Sequence, residues 1–88
     1  MAITLTNESL EYYILTRLSI QNMYGTQMLK NVPSTTIIQQ TTFYNMLNKL
    51  EREGKITKTP VVQNGVQVDL CSITPFGKKC LNAFLQKR

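Results

Sequence analysis

Histidine and tryptophan are absent from this chain of 88 residues, and acidic groups are scarce, at five Asp and Glu against ten Lys and Arg. Without histidine the usual neutral-pH general base is missing, and no paired carboxylates, glycine-rich phosphate loop or activated cysteine arrangement takes its place. A non-catalytic protein with no cofactor and no metal is expected. The two cysteines, Cys71 and Cys80, match no zinc or redox spacing. They read as small buried hydrophobes, with a disulfide reserved for an oxidising or very hot intracellular setting. Long apolar runs are lacking too: Leu10 to Leu18 is broken by Glu11, Thr16 and Arg17 and is too short to span a bilayer. The N-terminus MAITLTNES has no basic n-region or continuous apolar stretch. A soluble, cytoplasmic chain with no membrane partner follows.

What is present is one small core and a lopsided charge. A chain of this length buries roughly 60 to 65% of its unfolded surface, which suits a single domain over residues 1–88 and leaves little room for a deep substrate cavity. The net charge is +5. Residues 1–48 balance Arg17 and Lys30 against Glu8 and Glu11, so the excess lies beyond them, in Lys49, Arg52, Lys55, Lys58, Lys78, Lys79, Lys87 and Arg88. A one-sided positive field attracts nucleic acid or an anionic surface.

Spacing along the chain predicts a first helix over Leu10 to Ile20, where Leu10, Ile14 and Leu18 form a stripe that Tyr13 and Ile20 widen. Leu15 and Tyr12 extend the apolar surface further round, and with Ile3 and Leu5 just upstream this excess suggests contact with a second copy. Asn22 to Tyr24 is a break with room for a very short strand. A second helix is expected from Gly25 to Asn31, with Met28, Leu29 and Val32 inward and Pro33-Ser34 ending it. A third opens near Gln39 and runs over 39–53, with Ile38 and Phe43 placed to staple its entry and Gly54 to end it in a left-handed conformation. Gln39 is a poor N-cap, so a start at Thr36 or Thr41 is an alternative. Next come strands Ile56 to Val62 and Val66 to Ile73, a hairpin folded at Asn64-Gly65, a dipeptide that tolerates positive φ. Pro60 marks the first of them as an edge strand, and the second is either apolar on both faces or bulged near Leu70. Thr74-Pro75 opens a last helix, 75–88, with Cys80, Leu81, Phe84 and Leu85 inward.

The third helix is the most telling element. At about 100° per residue, Phe43, Met46, Leu47 and Leu50 share one stripe, and Thr41, Tyr44, Asn45, Asn48, Lys49 and Arg52 gather on the other side. That side has two cations and no carboxylate, and such a face can read a polyanion. Helix, short link and ribbon in this order make a winged helix-turn-helix: an α+β fold, mainly α, with a three-helix core, a β-wing and a C-terminal helix.

Several of these residues resemble the PadR-like transcriptional regulators. Tyr24-Gly25 stands where that family opens its second helix, and Thr42-Phe43-Tyr44, Met46-Leu47 and Leu50-Glu51-Arg52-Glu53-Gly54 follow its third-helix motif. Ile73-Thr74-Pro75-Phe76-Gly77 is similar to the segment after its wing. The chain departs from the family in having Gln39-Gln40-Thr41 before the motif, in a wing tip Gln63 to Gln67 without arginine, and in lacking a long C-terminal dimerisation helix before Arg88. The resemblance implies a sequence-specific double-stranded DNA-binding regulator, a repressor, working as a homodimer with helix 39–53 in the major groove.

For DNA contact the candidate residues are Gln39, Gln40, Thr41, Thr42, Tyr44, Asn45, Asn48 and Lys49 on the helix, with Arg52, Lys55 and Lys58 toward phosphate and Asn64 at the wing. Amides and threonines would read bases. Half-sites about 34 Å apart would suit a two-fold dimer built through the N-terminal segment, the C-terminal helix or both. Two other roles fit the same residues: a structural protein of plasmid or viral DNA segregation that coats a centromere-like site, and a winged-helix adaptor that binds protein. An effector ligand is not specified by the sequence. Glu51 and Glu53 read as rim charges near Arg52 or Lys55.

Overall fold

The computed structural model of the protein describes residues 3–4, 6–32 and 36–86. In chain order these form β1 (Ile3–Thr4), α1 (Asn7–Ile20), β2 (Met23–Tyr24), α2 (Gly25–Lys30), β3 (Thr36–Ile37), α3 (Gln40–Arg52), β4 (Ile56–Gln63), β5 (Val66–Ile73) and α4 (Pro75–Gln86). One antiparallel sheet has the order β2-β5-β4, and a short parallel pair joins β1 to β3. This is the expected α+β winged helix, with α1, α2 and α3 about a core, the β4–β5 wing and α4 behind.

The first helix starts earlier than its apolar pattern suggests, because Thr6 caps it: its Oγ1 accepts from the Ser9 N–H at 3.1 Å. Leu10, Ile14 and Leu18 are buried as expected, but Ile20 is 71% exposed and does not widen the inward face. Leu15, read as surplus surface, is fully buried within this chain. It belongs to the common core, on a helix that packs against α3, β5 and α4, the last setting Phe84 edge-on to Tyr12 at 6.0 Å between ring centres. Ile3 enters β1 through its backbone, pairing with Thr36; Leu5 lies outside the described residues. Tyr13 ties α1 to α2, its hydroxyl donating to the Met28 carbonyl at 2.8 Å. The second helix ends at Lys30 with Asn31 as its C-cap, and Pro33-Ser34, expected to end it, lies outside the described residues.

The apolar stripe of α3 is buried as its spacing predicts, with Phe43 and Leu50 wholly enclosed. Gln39 is its N-cap and Glu53 its C-cap, so the helix itself is one residue shorter at each end than 39–53. Ile38 is partly buried against the core cluster that contains Phe43, as the staple expects. The wing turn is Asn64-Gly65, both at positive φ (53° and 79°). Pairing runs unbroken from Ile56↔Ile73 to Gln63↔Val66, so Leu70 is not bulged and β5 is apolar on both faces. Its Cys71 side faces the core, while Val66 on the opposite face is 61% exposed. Pro60 lies on the edge strand β4, opposite Asp69, where its missing N–H costs no ladder bond to a further strand.

The link from α3 to the wing is a tightly bonded turn. Gly54, at φ +79°, lets the chain reverse, so that its N–H reaches the Glu51 carbonyl at 3.0 Å and the Lys55 N–H reaches Leu50 at 2.9 Å, a Schellman motif. Two distant elements dock on this turn. From α1, the buried Glu11 carboxylate meets the Lys55 ammonium at 2.9 Å, and Glu53 approaches the same ammonium at 3.1 Å. From the start of α4, Thr74 N–H donates to the Lys55 carbonyl at 3.0 Å, and Thr74 Oγ1 accepts the Gly77 N–H at 2.9 Å while offering its proton to the Gly54 or Lys55 carbonyl.

Gly77 is small for a steric reason: a Cβ there would lie 2.1 Å from the Lys55 carbonyl oxygen and 2.8 Å from Ile73 Cγ1. Backbone blocks the first of these, so α4 must move away as a unit. Further along α4, the buried Leu81 and the partly buried Cys80 and Phe84 pack on the core as expected, but Leu85 is 47% exposed and does not face inward. The last two residues of the expected helix lie outside the described residues.

Gly77→Ala is expected to lower unfolding stability by about 3 kcal/mol, the cost of overpacking against fixed backbone; urea denaturation would show a lower midpoint at unchanged slope. Lys55→Met would leave Glu11 enclosed without its cation and cost about 2 kcal/mol, whereas Lys55→Arg would retain most of it. Burial alone would depress the Lys55 pKa, but its hydrogen bonds and charges from Glu11 and Glu53 outweigh that and raise it above 10.5. The pair therefore contributes fully below pH 10.5 and is lost as pH rises through the raised value. In melting curves from neutral pH upward, the protein should lose stability above that point more steeply than Lys55→Arg, whose guanidinium stays charged.

Candidate nucleic-acid interface

The outward side of α3 is built by the same phase that buries its core stripe. Gln39, Gln40, Thr41, Thr42, Asn45, Asn48 and Arg52 are exposed, and Tyr44 and Lys49 are half-buried at the edges of the face. The N-cap residue of α3, Gln39, makes no side-chain capping bond among the described residues. The first amides of the helix are thus open toward whatever the helix end meets, with the positive end of its dipole behind them.

Tyr44 is held in place from two directions. Its ring stands edge-on to Phe43 at 5.5 Å, and it lies against Gly25 at the start of α2, where an added Cβ would come within 3.2 Å of Tyr44 and 3.1 Å of Leu47. Glycine at 25 lets α2 approach α3 this closely. The neighbouring turn is tightened by Gln27, whose side chain accepts from the Tyr24 N–H at 3.0 Å.

Between the start of α2, the second half of α3 and the wing lies a groove of about 300 Å³, bordered by Tyr24, Tyr44, Asn48, Lys58, Gln67 and Asp69. Lys58 reaches it from β4. Its ammonium donates to Asn48 Oδ1 and lies 3.5 Å from Glu51 Oε1, with only 15% of the side chain exposed. At the back of the groove is Cys71, whose thiol is pushed up to about 11 chiefly by burial, with Asp69 and Glu51 adding and Lys58 opposing. It is un-ionised at neutral pH, as a buried packing residue should be. Cys71 and Cys80 are both free thiols.

The structure therefore divides the candidate cations into two kinds. Lys55 is committed to Glu11 and Glu53, and Lys58 to Asn48 and Glu51, whereas Lys49 and Arg52 make no ion pair among the described residues. Glu51 and Glu53 do stand at the rim, but their charge is met by Lys58 and Lys55 rather than by Arg52. Asn64 is exposed at the wing tip, away from the groove. Sequence reasoning did not foresee Glu11 as a partner of Lys55 or the Asn48–Lys58–Glu51 group; the only sequence signal for the latter is that Asn48 and Glu51 lie one turn apart. Among the described residues no cluster of potential ligands for a metal ion occurs, and no helix is long and apolar enough to cross a membrane.

Neither the family models nor the curated proteins searched match this sequence. Solved structures do. The chain is similar to smu.1704 from Streptococcus mutans UA159, at 24% identity over 99% of this chain and 82% of that one, with a TM-score of 0.88. A PadR family transcription regulator from Clostridium difficile R20291 matches at 21% identity over 89% of this chain and 84% of that one, with a TM-score of 0.79. PadR of Bacillus subtilis, solved in complex with operator DNA, is 26% identical over 86% of this chain but 46% of its own, with a TM-score of 0.73. The resemblance seen in Tyr24-Gly25 and in Thr42 to Gly54 thus extends through the whole architecture, and the chain has the winged-helix fold of the PadR-family transcription regulators.

Proposed function

We propose that this chain is a non-catalytic, cytoplasmic, sequence-specific binder of double-stranded DNA, a PadR-like transcription regulator that represses by occupying a promoter as a homodimer. The observation that carries the reading is the outer face of α3: exposed amides and hydroxyls, with two cations that make no ion pair among the described residues, on a helix whose other side is locked in the core. The bound operator of the Bacillus subtilis PadR structure supports it by likeness. In this reading α3 enters the major groove, Gln39, Gln40, Thr41, Thr42, Tyr44, Asn45 and Asn48 meet base edges or sugar, and Lys49 and Arg52 meet phosphate. A dimer would use what α4 and the end of α1 leave open, where Phe76, Leu85 and Ile20 remain exposed.

Binding-site selection from random DNA followed by a footprint tests this directly. One or two protected half-site pairs are expected, and protection that spreads along the duplex as protein is added would instead mark a coating protein. Joint replacement of Asn45 and Lys49 by alanine should weaken duplex binding by about a hundredfold, and unchanged affinity would sink the reading. Because Lys49 and Arg52 make no ion pair among the described residues and Lys55 does, Lys49→Gln and Arg52→Gln should each flatten the slope of log K against log salt by about one per chain. Lys55→Gln should leave that slope as it is.

A further inference from the structure

The Asn48–Lys58–Glu51 group sits on the border between α3 and the wing, and its chemistry is one-directional. A lysine ammonium has only donors, so the atom of Asn48 facing Lys58 has to be the carbonyl Oδ1. The other arm of the same carboxamide, Nδ2 with its two protons, is then turned away from Lys58 on an exposed residue at the mouth of the groove. Glu51, one turn along α3, holds the ammonium from its other side at 3.5 Å, and the Lys58 side chain is 15% exposed. An asparagine free to turn reads adenine by donating to N7 and accepting from N6 at once, whereas one held as a donor matches an acceptor-only target.

Resting on the DNA-binding reading above, we infer that Lys58 is a positioning residue that fixes Asn48 as a hydrogen-bond donor toward DNA, so that Asn48 selects an acceptor: the O6/N7 edge of guanine or a phosphodiester oxygen. Lys58 itself is spent on Asn48 and Glu51 and does not neutralise a phosphate. The wing thereby contributes to recognition from its root, by setting the polarity of a residue on the helix.

The test uses the full chain and a duplex carrying the consensus selected by the unaltered protein. Asn48→Ala is expected to weaken binding about tenfold, the scale of one lost polar contact, and Lys58→Met about threefold to tenfold. If Lys58 acts through Asn48, the two together weaken binding little more than Asn48→Ala alone, Lys58→Arg restores most of the affinity, and the salt slope of Lys58→Met is unchanged. Repeating the selection with Asn48→Ala and Lys58→Met separates the two acceptors. Loss of guanine preference at one position in both variants identifies the base edge, and an unaltered consensus with uniformly weaker binding identifies phosphate. The inference is overturned if the two losses multiply, if Lys58→Met flattens the salt slope by about one, or if Asn48→Ala binds normally. Thermal unfolding of each variant shows that it is folded. An absence of any duplex affinity in the unaltered protein at low salt would refute the DNA-binding reading itself, an outcome distinct from all of these.

Discussion

The turn at Gly54-Lys55 is the constraint on which the rest of the architecture depends. A helix end has carbonyls to satisfy, and here the left-handed Gly54 closes them with the Schellman bonds to Leu50 and Glu51. That closure leaves the Lys55 carbonyl free to receive Thr74, which starts α4, and aims the Lys55 side chain at Glu11 on α1. One turn thus sets where α3 stops, where the wing begins and how α1 and α4 are seated. Glycine at 77 belongs to the same arrangement, since only a residue without Cβ lets α4 come down on the Lys55 backbone.

The ion pairs matter for different reasons on the two sides of this turn. Glu11 is largely enclosed, so Lys55 compensates a charge that would be costly to leave alone. Glu51 is 45% exposed on its side chain, and its 3.5 Å approach to Lys58 in reach of water adds little stability, on the order of 0–1 kcal/mol. Its consequence is electrostatic: each of the two carboxylates at the end of α3 that would repel a polyanion has a lysine beside it, Lys55 being shared with Glu11, while Lys49 and Arg52 remain unmatched among the described residues. The positive character of this face comes from masking acids as much as from supplying cations.

Periodicity and turn chemistry made much of the fold legible. The buried stripe of Phe43, Met46, Leu47 and Leu50, the positive-φ glycine at 54, the Asn64-Gly65 turn and the edge position of Pro60 all follow from local rules about phase, sterics and missing donors. What was hidden is which element covers which face. The spacing in α1 shows that Leu15 is apolar but not that it is wholly covered within this chain, and neither helix pattern shows that Ile20 and Leu85 are left exposed. Likewise, lysines at 55 and 58 look alike on paper. Their commitments depend on Glu11, forty-four residues away, and on an Asn–Glu pair that only the bend of the wing brings near. The outward side of α3 was readable because it is the complement of a core stripe, whereas the direction in which Asn48 points its amide required the position of Lys58.

The wing of this chain puts its cation at the root and none at its tip. From Gln63 to Gln67 the hairpin carries no charge, and Val62 and Val66 stand exposed beside the turn, so counterion release at the tip offers no gain in affinity. The bonded turn at Gly54-Lys55 sets how β4 leaves α3, the ribbon is in unbroken register from there to its tip, and Lys58 sits where strand and helix come together. In the proposed DNA-binding reading, discrimination would then rest mainly on α3, with the ribbon bracing Asn48 through Lys58. The neutral tip and the engaged lysine are parts of one arrangement, in which the wing acts through geometry more than through charge.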